Sequence, residues 1–391
     1  MHSLASTLTW ALISSVYFQH CAAIYTLVDD YAGTNFFSGF DFFSDKDPTD
    51  GFVQYQPEPD AISKGLVGYL KDDLVPGGQA NISSVLVGVD YTAKVTDKGR
   101  PSVRLEGKKG YDTGLLVADI LHMPDSIDGS WPALWLLGMD AEWPTDGEID
   151  LVEGVNSAVN NAVTLHTTPG CSISTDNGGG KAFSGTVVTD NCDVNAEGQG
   201  KNVGCSIYMA NSTGPSDPLA NYGTAFNANG GGIYVLEWGT SGISAWFFSR
   251  SQASTFPPSL LGQTPDPTEF GTPVALFKGE CDYASHFRKL RIIINTTFCG
   301  AWAGQVWNEQ GCADRTKAAT CEEYVQNNPD AFQEAYWEFR GLRVFGDGTD
   351  TETRRADGRF RRDVVRREER ARMTPRHIAR PGQKRAVKLR V

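Results

Sequence analysis

Glu148, Asp150 and Glu153 lie in the run Gly147-Glu-Ile-Asp-Leu-Val-Glu153, three carboxylates in an otherwise apolar segment. Same-face residues on a regular strand fall at i, i+2 and i+4. Here they fall at i, i+2 and i+5, so one face carries all three only if an extra residue is absorbed between Asp150 and Glu153. That is a β-bulge, a feature over-represented beside active sites. Crowded carboxylates repel one another unless they share protons or are put to use. Glycosidic bond cleavage uses closely placed carboxyls of unequal pKa: one ionised group attacks the anomeric carbon or supports water, and a second, held protonated, donates to the leaving oxygen. Strand steps of about 3.3 Å separate the Glu148 and Glu153 backbones by roughly 13 Å, whereas retention of configuration needs carboxyls about 5 to 5.5 Å apart. Both side chains are therefore expected to lean over Asp150, which would tune the pair by charge and hydrogen bonding. The competing reading is an edge strand with ordinary solvent-face acids.

The flanks weigh against that bland reading. Trp131, Trp135 and Trp143 stand just upstream of the acids, and sugar rings present flat C–H faces that stack on aromatic rings. Trp135, inside the apolar run Ala133 to Leu137, is expected to be the core member. Other chemistries lack their residues. No Gly-x-Ser-x-Gly elbow is present, and Gly178-Gly-Gly-Lys181 is followed by Ala182 where a phosphate loop requires Ser or Thr. No Cys-x-x-Cys pair occurs, and His122, His166, His286 and His377 are scattered, so neither a metal nor a cofactor is expected.

Positioning such a site falls to strands. Ser102 to Glu106, Leu115 to Ile120, Ala162 to His166, Gly232 to Trp238, Ile243 to Phe248, Leu290 to Asn295 and Trp337 to Phe345 read as strands between Gly-rich turns. The best helix is short, Cys321 to Asn327, closed by Asn328-Pro329. No internal repeat is found, and the fold class is all-β, a sandwich or a close relative.

Charge divides the chain of 391 residues into three. Residues 1–23 carry no Asp, Glu, Lys or Arg; the last 45 carry 15 basic and 7 acidic side chains. The net charge of -12 therefore hides a body of -20 and a tail of +8. An acidic body argues against nucleic acid or an anionic membrane as partner. Leu8 to Phe18 followed by Cys21-Ala22-Ala23 reads as a secretory leader cut after Ala23, leaving a body at 24–346. The tail, 347–391, reads as solvated and disordered, either a plain appendage, a basic holdfast for anionic wall polymers, or a segment trimmed at dibasic sites. In a secreted chain the seven remaining cysteines form up to three disulfides with one thiol left over, Cys312 and Cys321 being the expected local pair. Asn81, Asn211 and Asn295 open glycosylation sequons.

The run from Gly147 to Glu153, preceded by Trp131-Pro-Ala-Leu-Trp135, resembles the signature of glycoside hydrolase family 16 in its bulged, laminarinase-type form. The likeness extends from Asn35-Phe36-Phe37 and Phe40-Asp41-Phe42-Phe43 through His166-Thr167 to Ala335-Tyr336-Trp337, and is strongest to the secreted fungal endo-1,3(4)-β-glucanases. The resemblance implies a concanavalin-like β-jelly-roll sandwich of two curved antiparallel sheets, with β-glucan lying along the concave face. It implies Glu148 as nucleophile, Glu153 as general acid/base and Asp150 as the assisting acid, with Trp131 and His166 lining the substrate cleft; Trp143 joins them as a substrate-binding candidate by its residue type beside the acids, and for His166 a plain core or turn histidine stays open. The expected activity is retaining, endo-acting hydrolysis of β-1,3 and mixed β-1,3/1,4 glucans by a monomer outside the cell or in the wall, free of the membrane once the leader is removed. A wall-glucan transglycosylase and a non-catalytic glucan-binding protein on the same fold are the alternatives. The basic tail departs from the family's single-domain pattern.

Overall fold

The computed structural model describes residues 25–71, 82–96, 98–176, 178–209, 217 and 219–347. The leader, the sequons at Asn81 and Asn211, and the basic tail lie outside these residues. Two eight-stranded sheets, antiparallel throughout, make up the expected jelly-roll sandwich. The sheet that carries the acids runs Thr186–Thr189, Cys205–Tyr208, Ala162–His166, Glu148–Glu153, Ser130–Gly138, Leu290–Phe298, Arg104–Gly107, Phe40–Phe43. The other runs Ala275–Phe277, Gly242–Ser249, Gly232–Gly239, Gly114–His122, Trp337–Gly346, Ile82–Val87, Val67–Lys71, and Thr26–Ala32 also pairs with Trp337–Gly346. Six of the seven strands expected from the sequence are present; Ser102 to Glu106 is instead broken at Val103, with Arg100–Ser102 pairing in parallel to Val53–Tyr55 and Arg104–Gly107 joining the acid sheet.

Alternation decides what each face shows. Leu105, Leu134, Leu136, Ile149, Ile292 and Ile294 turn inward and are fully buried against Leu116, Ala118, Ile120, Tyr234 and Leu236 of the other sheet. Each such side chain contributes about 1.5–3 kcal/mol by leaving water. The alternate residues of the acid sheet point out: Arg104 and Glu106 pair across to Asn295 and Ile293, and these to Ala133 and Trp135. This opposite face mixes charged, polar and aromatic side chains with Ile293 and Ala133, and of these only Trp135 is more than slightly exposed.

A second cluster, including Phe298, Trp307, Val325 and Phe332, closes one end of this sheet. It contains the helix Cys321–Asn327, where expected; the Thr320 hydroxyl caps it by accepting from the Glu323 amide at 3.2 Å. Three disulfides form, Cys171–Cys281, Cys192–Cys205 and Cys299–Cys321. The pairing expected between Cys312 and Cys321 is therefore wrong. Cys312 opens its own short helix, Cys312–Thr316, where its sulfur meets Arg315, while Cys321 faces the end of the long strand Leu290–Phe298. Nearness in sequence said nothing about which way either side chain points. Cys312 is buried, and desolvation followed by the charge of Asp128 pushes its thiol up to about 11. We predict that a chain beginning at Ile24 shows no thiol to a disulfide reagent when native and one per chain in denaturant without reductant; two or more would contradict this pairing.

Candidate active site

The acid-bearing strand begins at a glycine for a steric reason. Gly147 has φ 78°, and a Cβ there would lie 2.3 Å from the His286 carbonyl oxygen and 2.7 Å from the Phe287 ring. From Glu148 the strand pairs with Ser130–Gly138, Glu148 opposite Leu137 and Asp150 opposite Trp135. The register then slips, with Val152 opposite Leu134 and Glu153 opposite Ala133. Leu151 is the extra residue, and the expected bulge is present. Leu151 and Val152 both enter the core, fully buried, and Glu153 returns to the outer face beside Glu148 and Asp150.

Pairing on the other side stops at Asp150 opposite Thr164. Beyond it a side chain replaces the ladder: Asn161 Nδ2 donates to the Leu151 carbonyl at 2.7 Å, and Asn161 Oδ1 accepts from the Glu153 amide at 2.9 Å. The Asn161 backbone N–H donates in turn to Asn221 Oδ1 at 2.7 Å. Both asparagines are buried.

Each carboxyl has its own partner. Trp143 Nε1 donates to Glu148 at 2.9 Å, Trp131 Nε1 donates to Glu153 at 2.7 Å, and His166 Nε2 lies 3.1 Å from an Asp150 oxygen. His166 stands opposite Glu148 on the next strand, which puts it on the same face as the acids. Donor atoms of Glu148, Asp150 and His166 fall within 4.8 Å of one another, close enough to share protons or to hold a cation. Trp143, 40 % exposed, and Trp302, 38 % exposed, project at the site, Trp302 meeting Trp131 edge to face at 5.6 Å. Trp302 lay outside the sequence reading because it is remote in the chain from the acids.

Two sequence expectations fail here. Trp135 is not a core residue: directly opposite Asp150, it lies half-buried on the outer face, donates from Nε1 to Asn295 Oδ1 at 2.7 Å and carries the Arg104 guanidinium 5.1 Å above its ring. The apolar run around it concealed the strand's alternation. Asn295 is not available to a glycan. It is 6 % exposed, and its Nδ2, the atom a sugar would occupy, contacts the Tyr55 hydroxyl at 3.3 Å. Trp238 is a core residue.

Burial dominates the electrostatics. Glu148, Asp150 and Glu153 are each pushed up to about 8, desolvation being the largest cause in all three; the Asp150 charge raises both glutamates further. His166 pulls both glutamates back, and the Trp143 and Trp131 N–H groups do so for Glu148 and Glu153 respectively. Ionising all three at neutral pH therefore carries a large cost.

A family model described as XgeA-like, catalytic GH16 domain, matches residues 40–345. An endo-1,3(4)-beta-glucanase of Arthroderma benhamiae is 42% identical over 329 residues, 84% of this chain and 66% of that protein. A probable glycosidase of Schizosaccharomyces pombe is 40% identical, covering 83% and 70%. The chain spans only 45% of a probable endo-1,3(4)-beta-glucanase of Aspergillus flavus that is 40% identical. Among solved structures, Laminarinase 16A from Phanerochaete chrysosporium, holding beta-glucans in donor and acceptor sites, superposes with a TM-score of 0.71 at 37% identity, covering 83% of this chain and all of that one. An elongating GH family 16 beta-1,3-glucosyltransferase gives 0.69 at 39% identity, over 82% of this chain and all of that one.

Folding raises the proton affinity of these carboxyls above the unfolded value near 4.5. Their contribution to stability is therefore complete below that pH and is lost as pH rises toward about 8. We predict that Glu148→Gln raises the thermal midpoint by about 2 °C or more near pH 7.5 and by little near pH 4. Equal gains at both pH values would rule out relief of charge as the cause.

Proposed function

The chain belongs to glycoside hydrolase family 16, and from that membership we propose that it is a secreted, endo-acting β-glucanase that cleaves β-1,3 and mixed β-1,3/1,4 linkages with retention. The observation that carries this reading is the bulged strand that presents Glu148, Asp150 and Glu153 on one face among exposed tryptophans. A non-catalytic binding protein needs the aromatic surface but not three carboxyls held at a desolvation cost.

In the proposed first step the Glu148 carboxylate attacks the anomeric carbon while the bond to the leaving sugar oxygen breaks, and Glu153 gives that oxygen its proton. In the second, Glu153, now ionised, takes a proton from water as the water oxygen attacks the glycosyl ester, and Glu148 departs as carboxylate. Two inversions give net retention. The Trp143 N–H and the nearby His166 both favour the carboxylate form of Glu148, which the nucleophile requires. Asp150 raises both glutamates, and for Glu153 that favours the protonated form a donor needs. Trp131, Trp143 and His166 are assigned to substrate binding, and the exposed ring of Trp302 extends the same surface. No helix among the described residues is long and apolar enough to cross a membrane, and three disulfides suit an oxidising compartment. The protein acts as a monomer in this reading.

The second reading, transglycosylation, rests on the elongating glucosyltransferase, which is 39% identical. It uses the same glycosyl ester with a sugar hydroxyl in place of water. Glu148→Gln and Glu153→Gln are each predicted to lower kcat on laminarin by about 10³-fold or more. Proton NMR should find the β-anomer first; an initial α-anomer would remove Glu148 as nucleophile. Products longer than a supplied oligosaccharide would transfer the assignment to the transglycosylase.

We also propose that 24–346 is the whole catalytic body. The final strand Trp337–Gly346 is held between Gly114–His122 on one side and Thr26–Ala32 with Ile82–Val87 on the other. Ending the chain at Gly346 should leave turnover unchanged and the thermal midpoint within about 2 °C; loss of folding would mean that the tail packs on the body.

A further inference from the structure

Past Asp150 the ladder to Ala162–His166 ends, and in a buried strand backbone groups left unpaired are costly. Here the groups at stake are the Leu151 carbonyl and the Glu153 N–H. A strand partner would offer one acceptor and one donor side by side. The Asn161 carboxamide offers the same pair on a side chain, and every polar group of this residue is committed: Nδ2 to Leu151, Oδ1 to Glu153, backbone N–H to Asn221, and its carbonyl to the Met209 amide at 3.0 Å. Nothing comparable holds Glu148, which sits in the regular ladder opposite His166 and Leu137.

We propose that Asn161 is a positioning residue for the acid/base: its carboxamide fixes the Glu153 backbone after the bulge and thereby sets where the Glu153 carboxyl stands relative to the leaving oxygen, without touching substrate. The location fits the division of labour along the strand. Asn161 grips the backbone N–H of Glu153 itself, and the Glu153 side chain is held separately by Trp131. The clamp is braced in turn, since Asn221 Nδ2 donates to the Leu219 carbonyl at 2.8 Å. Loss of the carboxamide frees the Glu153 end of the strand while Glu148 keeps both its neighbours. The defect should therefore fall on proton donation and spare nucleophilic attack.

This inference rests on the assignment of Glu153 as acid/base, and leaving-group dependence tests the two separately. A glucan alcohol leaves only with a proton, whereas a dinitrophenolate leaves without one. For the full-length protein, kcat/KM is measured on laminarin and on a dinitrophenyl β-glycoside of a β-1,3-linked glucose disaccharide. The ratio of the two values is independent of the fraction of folded protein, so destabilisation alone leaves it unchanged. Asn161→Ala should lower kcat/KM on laminarin relative to the aryl glycoside by at least about tenfold. Asn161→Asp, which keeps the acceptor for the Glu153 amide and loses the donor to Leu151, should give a smaller change in the same direction and serves if the alanine variant does not fold. An unchanged ratio in both variants would overturn the proposal and leave Asn161 a structural residue. Failure of the underlying assignment is distinct, because then Glu153→Gln itself would show no leaving-group dependence.

Discussion

One surplus residue governs the site. Leu151 has no partner position on the neighbouring strand, and because it and Val152 both turn inward, Glu153 recovers the face that Glu148 and Asp150 already occupy. The rest of the arrangement answers to that shift. Gly147 supplies the left-handed turn and close approach that start the strand, the Asn161 carboxamide takes up two backbone groups beyond the end of the ladder to Ala162–His166, and the tryptophans on either side reach the two outer carboxyls. Without the surplus residue the sequence would place Glu153 in the core, where an unpaired acid is among the costliest groups to bury.

The tryptophans act through their nitrogens as well as their faces. Trp131 donates to Glu153, Trp143 to Glu148 and Trp135 to Asn295. An indole N–H donates and never accepts, so it stabilises a carboxylate whether or not a proton is shared nearby, while its bulk removes water from the same group. The opposing effects of desolvation and hydrogen bonding on Glu148 and Glu153 thus come partly from the same side chains. The aromatic surface around the acids is thus also the device that tunes them.

The acids, the bulge and the strands were readable because each leaves a periodic trace: the i, i+2, i+5 spacing admits one solution if all three acids face one way, and strands of period two announce their inner residues. What stayed hidden depends on tertiary neighbours. Trp135 sits in an apolar run whose alternate members face opposite sides, and only pairing with Asp150 reveals which side is its own. Asn295 fits an acceptor triplet that says nothing about burial, and the structure sets it among Tyr55 and Trp135. Cys299 pairs with Cys321 because a strand end meets a helix start, a contact that spacing in the chain does not encode. Asn161 and Trp302 had no sequence signal beyond their residue types.

The placement of the first and last strands bears on when the molecule can form at all. Thr26 pairs with Gly346, and Trp337–Gly346 lies inside its sheet, flanked on one side by Gly114–His122 and on the other by Thr26–Ala32 and Ile82–Val87. Until residue 346 has been synthesised, that sheet has a slot where a strand should be, with two unpaired edges facing each other. Contacts so distant in sequence close slowly, and a nascent chain lacking its last strand has no complete sandwich to adopt. Closure of the sandwich therefore waits on the strand Trp337–Gly346, the stretch of chain farthest from the strand Thr26–Ala32 that it pairs with.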